Sequence, residues 1–156
     1  MNWEAIGTIL EGISAIGVII SLIYVATQLK AQNKQARLAA MHEMTASFRE
    51  VSLIFSDKDL ADVVMRGNKD FDSLSKGETL QMFGSISTFL RVWEEAFIRH
   101  EEGQLAERSW LPLSKHFQVL FGGQVFQRVW SVRKDQFDPS FVQFVDQLET
   151  TEYKIK

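Results

Sequence analysis

The sequence predicts an all-α protein in which an N-terminal transmembrane helix continues into a cytoplasmic irregular helical bundle. Three observations carry this reading. Residues Gly12 to Leu29, GISAIGVIISLIYVATQL, form an unbroken uncharged run close to the start of the chain. Only two prolines, Pro112 and Pro139, interrupt the 156 residues, and few glycines fall outside the span, so long stretches are free of helix breakers. Beyond the span, apolar residues recur at spacings of three and four, and the short β-rich stretches sit inside that helical periodicity.

The span comes first. At about 1.5 Å of rise per residue, a helix over Ala5 to Thr27 reaches roughly the thickness of a hydrocarbon core. A buried core helix is the alternative, but the isoleucines point around most of the circumference and no second segment is equally apolar. The residues before the run carry Glu4 rather than lysines, and the run lacks an A-x-A ending, so the segment is expected to be retained. Lys30, Lys34 and Arg37 follow it with no acid between them. This asymmetry predicts a membrane protein with its N-terminus outside and its domain in the cytoplasm. The three cations form a membrane-surface anchor, each drawn to anionic lipid by roughly 1 kcal/mol. The expected organisation is a transmembrane helix over 1–29, a cytoplasmic helical bundle over 30–150 and a frayed tail over 151–156.

From Lys30 good helix formers continue without Gly or Pro to about Phe55, so the span is expected to run on as one rod. Its packing face reads Leu38, Met41, Met44 or Thr45, Phe48, Ser52 and Phe55. Asp57 caps a short helix that ends on Gly67, and NKDFDSLS reads as a loop. Ser75 and Glu78 have capping-box spacing and open a second long helix. That helix carries Leu80, Phe83, Ile86 or Ser87, Leu90, Trp93 or Glu94 and Phe97, and stops near Gly103. A third helix, AERSWLPLSKHFQVLF, tolerates Pro112 only near its start and is broken by Gly122 and Gly123. In QVFQRVWSVRKDQF the residues Val125, Phe126, Val129, Trp130 and Val132 lie broadly on one side. Asp138 and Pro139 read as N-cap and first residue of a last helix to about Glu149. Two antiparallel long helices with shorter ones closing over them would bury most of the aromatic residues.

Composition narrows the function. An apolar share of 46%, with twelve Phe and four Trp, is ample for a core, and Trp93, Trp110 and Trp130 read as core or interface. The net charge of −3 argues against a general nucleic-acid surface. With no cysteine there are no disulfides, thiolate metal sites or cysteine nucleophile. His42, His100 and His116 are preceded three residues earlier by Ala39, Phe97 and Leu113, so no Glu-x-x-His motif exists, and Ala46 occupies the second histidine position of H-E-x-x-H. Phosphate loops and the G-x-S-x-G elbow are absent. The acidic pairs Glu94-Glu95 and Glu101-Glu102 read as a solvated face, since helical neighbours point about 100° apart, and Glu95 with Arg99 is an ordinary ion pair. No catalytic residue, metal or cofactor is expected, and the protein is read as a non-enzyme.

The span carries the more specific signal. Glu4, Gly7, Glu11, Ser14, Gly17 or Val18, Ser21 and Gln28 lie close to one line, while Ile6, Ile9, Ile13, Ile16, Ile20 and Ile23 occupy other sides. Gly17 and Ser21 form a small-xxx-small pair, which lets membrane helices approach closely, and a carboxylate such as Glu11 usually faces a partner or water. Three readings stay open. In one, the stripe is a contact surface of a homo-oligomer or accessory subunit whose bundle docks or scaffolds. In another, several copies surround an axis and the stripe lines a cation-conducting pore. In the third, Glu11 lies at the outer headgroup level.

The pattern W-E-A-I-G-x-I-x-E-x-I-x-A-I-x-V-x-x-S-L-I-Y-V-A-T-Q-L-K-x-Q-N, Trp3 to Asn33, resembles the opening of a group of short bacterial single-span proteins, often marine, of no assigned activity. Their span ends in S-L-I-Y-L-A-x-Q-I-R-x-N, and the stretch Phe89 to Glu95 is similar in style to theirs. Lys30 replaces the usual arginine and Lys34 follows the Asn, both conservative for an anchor. The resemblance implies the architecture and carries no catalytic residue over. Liposome flux separates two of the readings: a pore conducts cations and changes on Glu11→Gln, whereas a contact surface gives no flux from either protein.

Overall fold

The computed structural model describes the backbone of residues 3–148 and the side chains of residues 11, 12 and 14–148. Those residues form six α-helices: α1 Trp3–Phe55, α2 Lys58–Lys69, α3 Lys76–Glu101, α4 Glu107–Phe121, α5 Gln124–Arg133 and α6 Pro139–Asp146. Short 3₁₀ turns occupy Phe71–Ser73 and Lys134–Gln136, and no strand occurs among the described residues. The all-α expectation and all six helices are therefore present. The chain divides into two compact units, Met1–Ala39 and Ala40–Lys156. The first is a single helical stretch, and the second holds the core.

Helix boundaries follow local chemistry. Asp57 caps α2 by accepting from the Leu60 amide at 2.9 Å. Ser75 and Glu78 close a reciprocal capping box at the start of α3, each satisfying an amide of the other. At the far end of α3, Gly103 adopts φ +70°, Gly103 N–H donates to the His100 carbonyl and Gln104 N–H to that of Arg99. These are the paired bonds of a Schellman stop, and they use the left-handed conformation that glycine adopts without steric cost. Gly122 ends α4 and Gly123 begins α5, as the sequence predicts. Asp138 caps α6 with Pro139 in its first position. Helix α6 stops at Asp146, short of Glu149, which lies outside the described residues, as does the tail over 151–156.

Helix α3 is the axis of the second unit. Met82, Ile86, Phe89, Leu90 and Trp93 are fully buried, and α2, α4, α5 and α6 all pack on this helix. Trp93 stacks on Phe117 of α4 with centroids 5.5 Å apart and meets Phe121, Phe141 and Phe144 edge-on. Phe89 meets Phe55, Phe117 and Phe126. Such aromatic pairs contribute about 0.5–1.5 kcal/mol each beyond simple burial. The last turns of α1 run antiparallel to α3, since Glu43 pairs with Arg99 while Phe55 touches Phe89.

Several expectations are corrected by packing. The inward face of α1 is Ala40, Met44 and Val51 with half-buried Phe48 and Phe55, whereas Leu38 and Met41 are exposed. Leu38 lies about 120° around the helix from Met44, outside that face. Leu80 and Val132 are exposed too. Pro112 is the sixth residue of α4 rather than an early one, and it sits on the exposed side, where loss of one backbone bond costs least. Gly67 is not a terminus. It lies inside α2, which ends on Asp70, and is buried where a Cβ would come within 2.8 Å of Val125 Cγ1 and 3.0 Å of Leu74 Cδ1.

Gly67 and Gly84 therefore behave oppositely toward alanine. Val125 is fully buried and β-branched, so it yields poorly, and Gly67→Ala should destabilise by about 1–3 kcal/mol. Gly84 has nothing within 4 Å of its Cβ position, so Gly84→Ala should stabilise by up to about 1 kcal/mol through helix propensity. Thermal unfolding followed by circular dichroism checks both; equal shifts of one sign would contradict the packing argument.

Candidate functional site

The first unit is a surface before it is a site. Ile16, Val18, Ile19, Ile20, Leu22, Ile23, Tyr24, Val25 and Leu29 are each 51–63% exposed. From Ser14 onward α1 is long and apolar enough to cross a membrane, and none of its apolar window is buried. Side chains of this kind are stabilised by about 1.5–3 kcal/mol each when fully removed from water. The surface is thus unfavourable in water.

Within it, Ser14, Gly17, Ser21 and Gln28 form the small and polar edge, and all four are exposed. Ser14, Ser21 and Gln28 are seven residues apart, so the edge drifts only about 20° per step along the helix. A Cβ added at Gly17 would have nothing within 4 Å, so this position is a notch in the surface. Thr27 is turned inward on its own helix, its hydroxyl donating to the Tyr24 carbonyl at 2.7 Å. Glu11 is exposed at the upstream end of the edge. Of Glu4 and Gly7, which extend the stripe in sequence, only the backbone lies within the described part of the chain. Lys30, Lys34 and Arg37 are exposed, share one side at i, i+4 and i+7, and make no ion pair among the described residues.

The second unit holds polar clusters that sequence spacing undervalues. Glu94, read as part of a solvated face, is only 8% exposed. Its carboxylate accepts from Arg91 at 2.7 Å and from the Asp138 amide at 2.6 Å. Arg91 also donates to the Gln136 carbonyl and lies 4.2 Å from the Phe137 ring centroid, so the pair clamps the turn that starts α6. The i,i+3 spacing of Arg91 and Glu94 was the available signal. Asn68 acts similarly: its side-chain oxygen accepts from Val125 N–H at 3.1 Å and caps α5 from another helix, because Gly123 has no side chain to do so.

Glu95 pairs with Arg99 as its i,i+4 spacing predicts, and Arg99 also reaches Glu43 at 2.7 Å. Burial works against the Arg99 charge, but hydrogen bonds to Glu95 and Glu43 outweigh it and hold its pKa above the ordinary value. The histidines are dispersed. His100 stacks on Trp110, with Nδ1 3.3 Å from the Leu105 carbonyl and Nε2 3.3 Å from Glu107. His116 packs edge-on to Phe48, and His42 is exposed. No group of three or more potential metal-ligating side chains occurs among the described residues.

Two cavities lie near these clusters. One of about 140 Å³ is lined by Met41, Met44, Phe48, Leu105 and Leu113, and is smaller than ordinary small-molecule sites. Another of about 390 Å³ is lined by Glu94, Glu95, Ile98, Arg99, Glu102 and Gln104. Most of its charges already pair with each other or with Arg91 and Glu43. The chain matches no protein-family model, no curated protein and no solved structure.

One carboxylate gives the second unit a pH dependence. The Ser75 amide, then Arg66, hold the Glu78 carboxyl down at about 2, below its ordinary 4.5. Because the folded value is depressed, this contribution is present above pH 4.5 and is lost as pH falls from 4.5 toward 2. Asp138, held down by Ser140, and Asp146, held down by Lys134 and Trp130, act in the same direction. Glu78→Gln should therefore show a smaller drop in unfolding temperature between pH 6 and 2 than the wild type while keeping part of it. Parallel curves would refute the role of Glu78.

Proposed function

We propose that this protein is a single-span membrane protein that self-associates through the small polar edge of α1 and presents its helical bundle as a docking or scaffolding module rather than as an enzyme. The observation that carries the reading is the exposure of α1: nine large apolar side chains stand at 51–63% exposure around a notch at Gly17. Lipid covers the isoleucine-rich sides at no cost. A second helix gains most on the edge where Gly17 and Ser21 let backbones approach, since lipid tails pack poorly into a notch and a serine hydroxyl finds a partner there. A seven-residue spacing of that edge suits left-handed packing of two or more copies.

The cations support an orientation. Lys30, Lys34 and Arg37 lie just past the apolar run on one side of the helix, which favours the bundle on the cytoplasmic face of a bacterial inner membrane. Their attraction to anionic headgroups supports an anchor at that surface. Many of the bundle's charged side chains pair with one another, which suits a rigid module whose role is to be placed and held.

The natural absence of cysteine makes the test clean. Ser21→Cys introduced into the full chain should crosslink to a second copy under mild oxidation in native membranes, whereas Ile19→Cys, about 160° around the helix, should not. Adding Gly17→Leu to Ser21→Cys should reduce that product severalfold by filling the notch. Equal crosslinking at both positions, or none at Ser21, would sink the proposal; a product of different mass would point to an accessory subunit.

A further inference from the structure

We propose that the cleft between the first turns of α3 and the end of α5 binds a small organic carboxylate bearing a short apolar tail. The cleft is lined by Leu74, Lys76, Thr79, Leu80, Phe83 and Arg133 and encloses about 410 Å³, within the range of small-molecule sites. It lies within the second unit, away from the α1 edge, and does not depend on the reading above.

Its walls are of two kinds. Leu74 and Phe83 supply half-buried apolar surface, and Leu80 is 73% exposed, the highest value for a large apolar side chain among the described residues. No fold contact explains a leucine at that position of α3. The charged wall is formed by Lys76 and Arg133, neither of which makes an ion pair among the described residues. Arg133 is the more telling. Its Nε is buried without a hydrogen-bond partner, and the guanidinium reaches only Gln136, at a long 3.4 Å. That long contact leaves the remaining terminal N–H donors of the guanidinium to an acceptor in the cleft.

Two nearby acids, Glu78 and Asp146, are already committed and do not serve as that acceptor. Glu78, on the same turn of α3, faces Arg66 and the Ser75 amide. Asp146 is held by Lys134 and the Trp130 indole. The positive end of the α3 dipole lies on the Lys76 side of the cleft and favours an anion further.

The fit selects the ligand class. A planar carboxylate matches the fork of an arginine, and Lys76 adds a point charge. Three apolar side chains then ask for a tail of a few carbons, which a strongly hydrated inorganic anion lacks. Phe83 joins the two walls, because the Arg133 guanidinium lies 6.0 Å from its ring centroid.

The test uses the full chain in phosphatidylcholine nanodiscs and a diazirine-bearing hexanoate as photoprobe, with labelled peptides mapped by mass spectrometry. Labelling should saturate, fall on residues 74–83 and on Arg133, and be competed by hexanoate but not by hexylamine or acetate. The double variant Lys76→Gln with Arg133→Gln should weaken apparent affinity about tenfold or more while its circular dichroism stays native. Should that variant not fold, Leu80→Asn keeps both charges and removes one apolar wall, and it should also weaken labelling severalfold. Non-saturable labelling, equal competition by the amine, or folded variants that label like the wild type would each overturn the proposal.

Discussion

The stack of Trp93 on Phe117 is the contact on which the rest of the bundle depends. Trp93 is fully buried in the second half of α3, and its remaining edges are taken by Phe121 of α4 and by Phe141 and Phe144 of α6. Four residues earlier Phe89 repeats the arrangement with Phe55, Phe117 and Phe126. These two rings gather α1, α4, α5 and α6 around one helix. The arrangement has one cost: the Trp93 indole N–H is buried with no hydrogen-bond partner among the described residues. A donor left so is worth about 1–3 kcal/mol against folding, which the surrounding aromatic burial outweighs.

Around that stack, polar groups do what the apolar core cannot, which is to fix where chain turns sit. Glu94 is held between Arg91 and the first amide of the α6 cap, so one carboxylate registers α6 against α3. Asn68 caps α5 from the end of α2, in the same contact where Gly67 lets Val125 approach. Gly67 and Asn68 thus form one device: the glycine permits the approach and the amide specifies its register. Arg99 ties α1 to α3 through Glu43 while its bond to Glu95 stays within the helix. Half-buried pairs of this kind contribute more to a unique arrangement than to net stability.

Legibility in the sequence divides along the same line. Most of what is local is legible: the Asp57 and Asp138 caps, the Ser75–Glu78 box, the Gly103 and Gly122–Gly123 stops, and the i,i+4 pair Glu95–Arg99, whereas NKDFDSLS, which reads as a loop, holds the end of α2 and the 3₁₀ turn Phe71–Ser73. What failed was tertiary. Gly67 looked like a terminus because a glycine near the end of a periodic run usually is one, and only Val125, far along the chain, reveals its packing role. Leu38, Leu80 and Val132 fall on an apolar face by helical spacing, yet the inward face is set by which neighbours arrive, and on α1 small Ala40 lies there instead of Leu38. Glu94 failed for a related reason, since a carboxylate is buried only when distant donors meet it. Of the candidate site, the edge over Ser14, Gly17, Ser21 and Gln28 was legible from periodicity, whereas the Arg133 cleft depends on α3 and α5 meeting and left no sequence signature.

The two units answer opposite physical demands, and this bears on how strong the α1 edge has to be. The bundle hides its apolar side chains by folding on itself, whereas α1 offers its own to whatever surrounds it. In water such a helix would associate through every side at once, because burial is non-directional. In lipid that drive vanishes, since hydrocarbon is as apolar as leucine, and only the notch and the hydroxyls distinguish one side from another. Hydrogen bonds between helices in lipid contribute on the order of 1 kcal/mol each, so the proposed seam is specific but weak. Under the proposed anchoring, confinement would compensate: chains held in one plane with a fixed orientation meet as though at high concentration, so that a seam too weak in bulk would suffice.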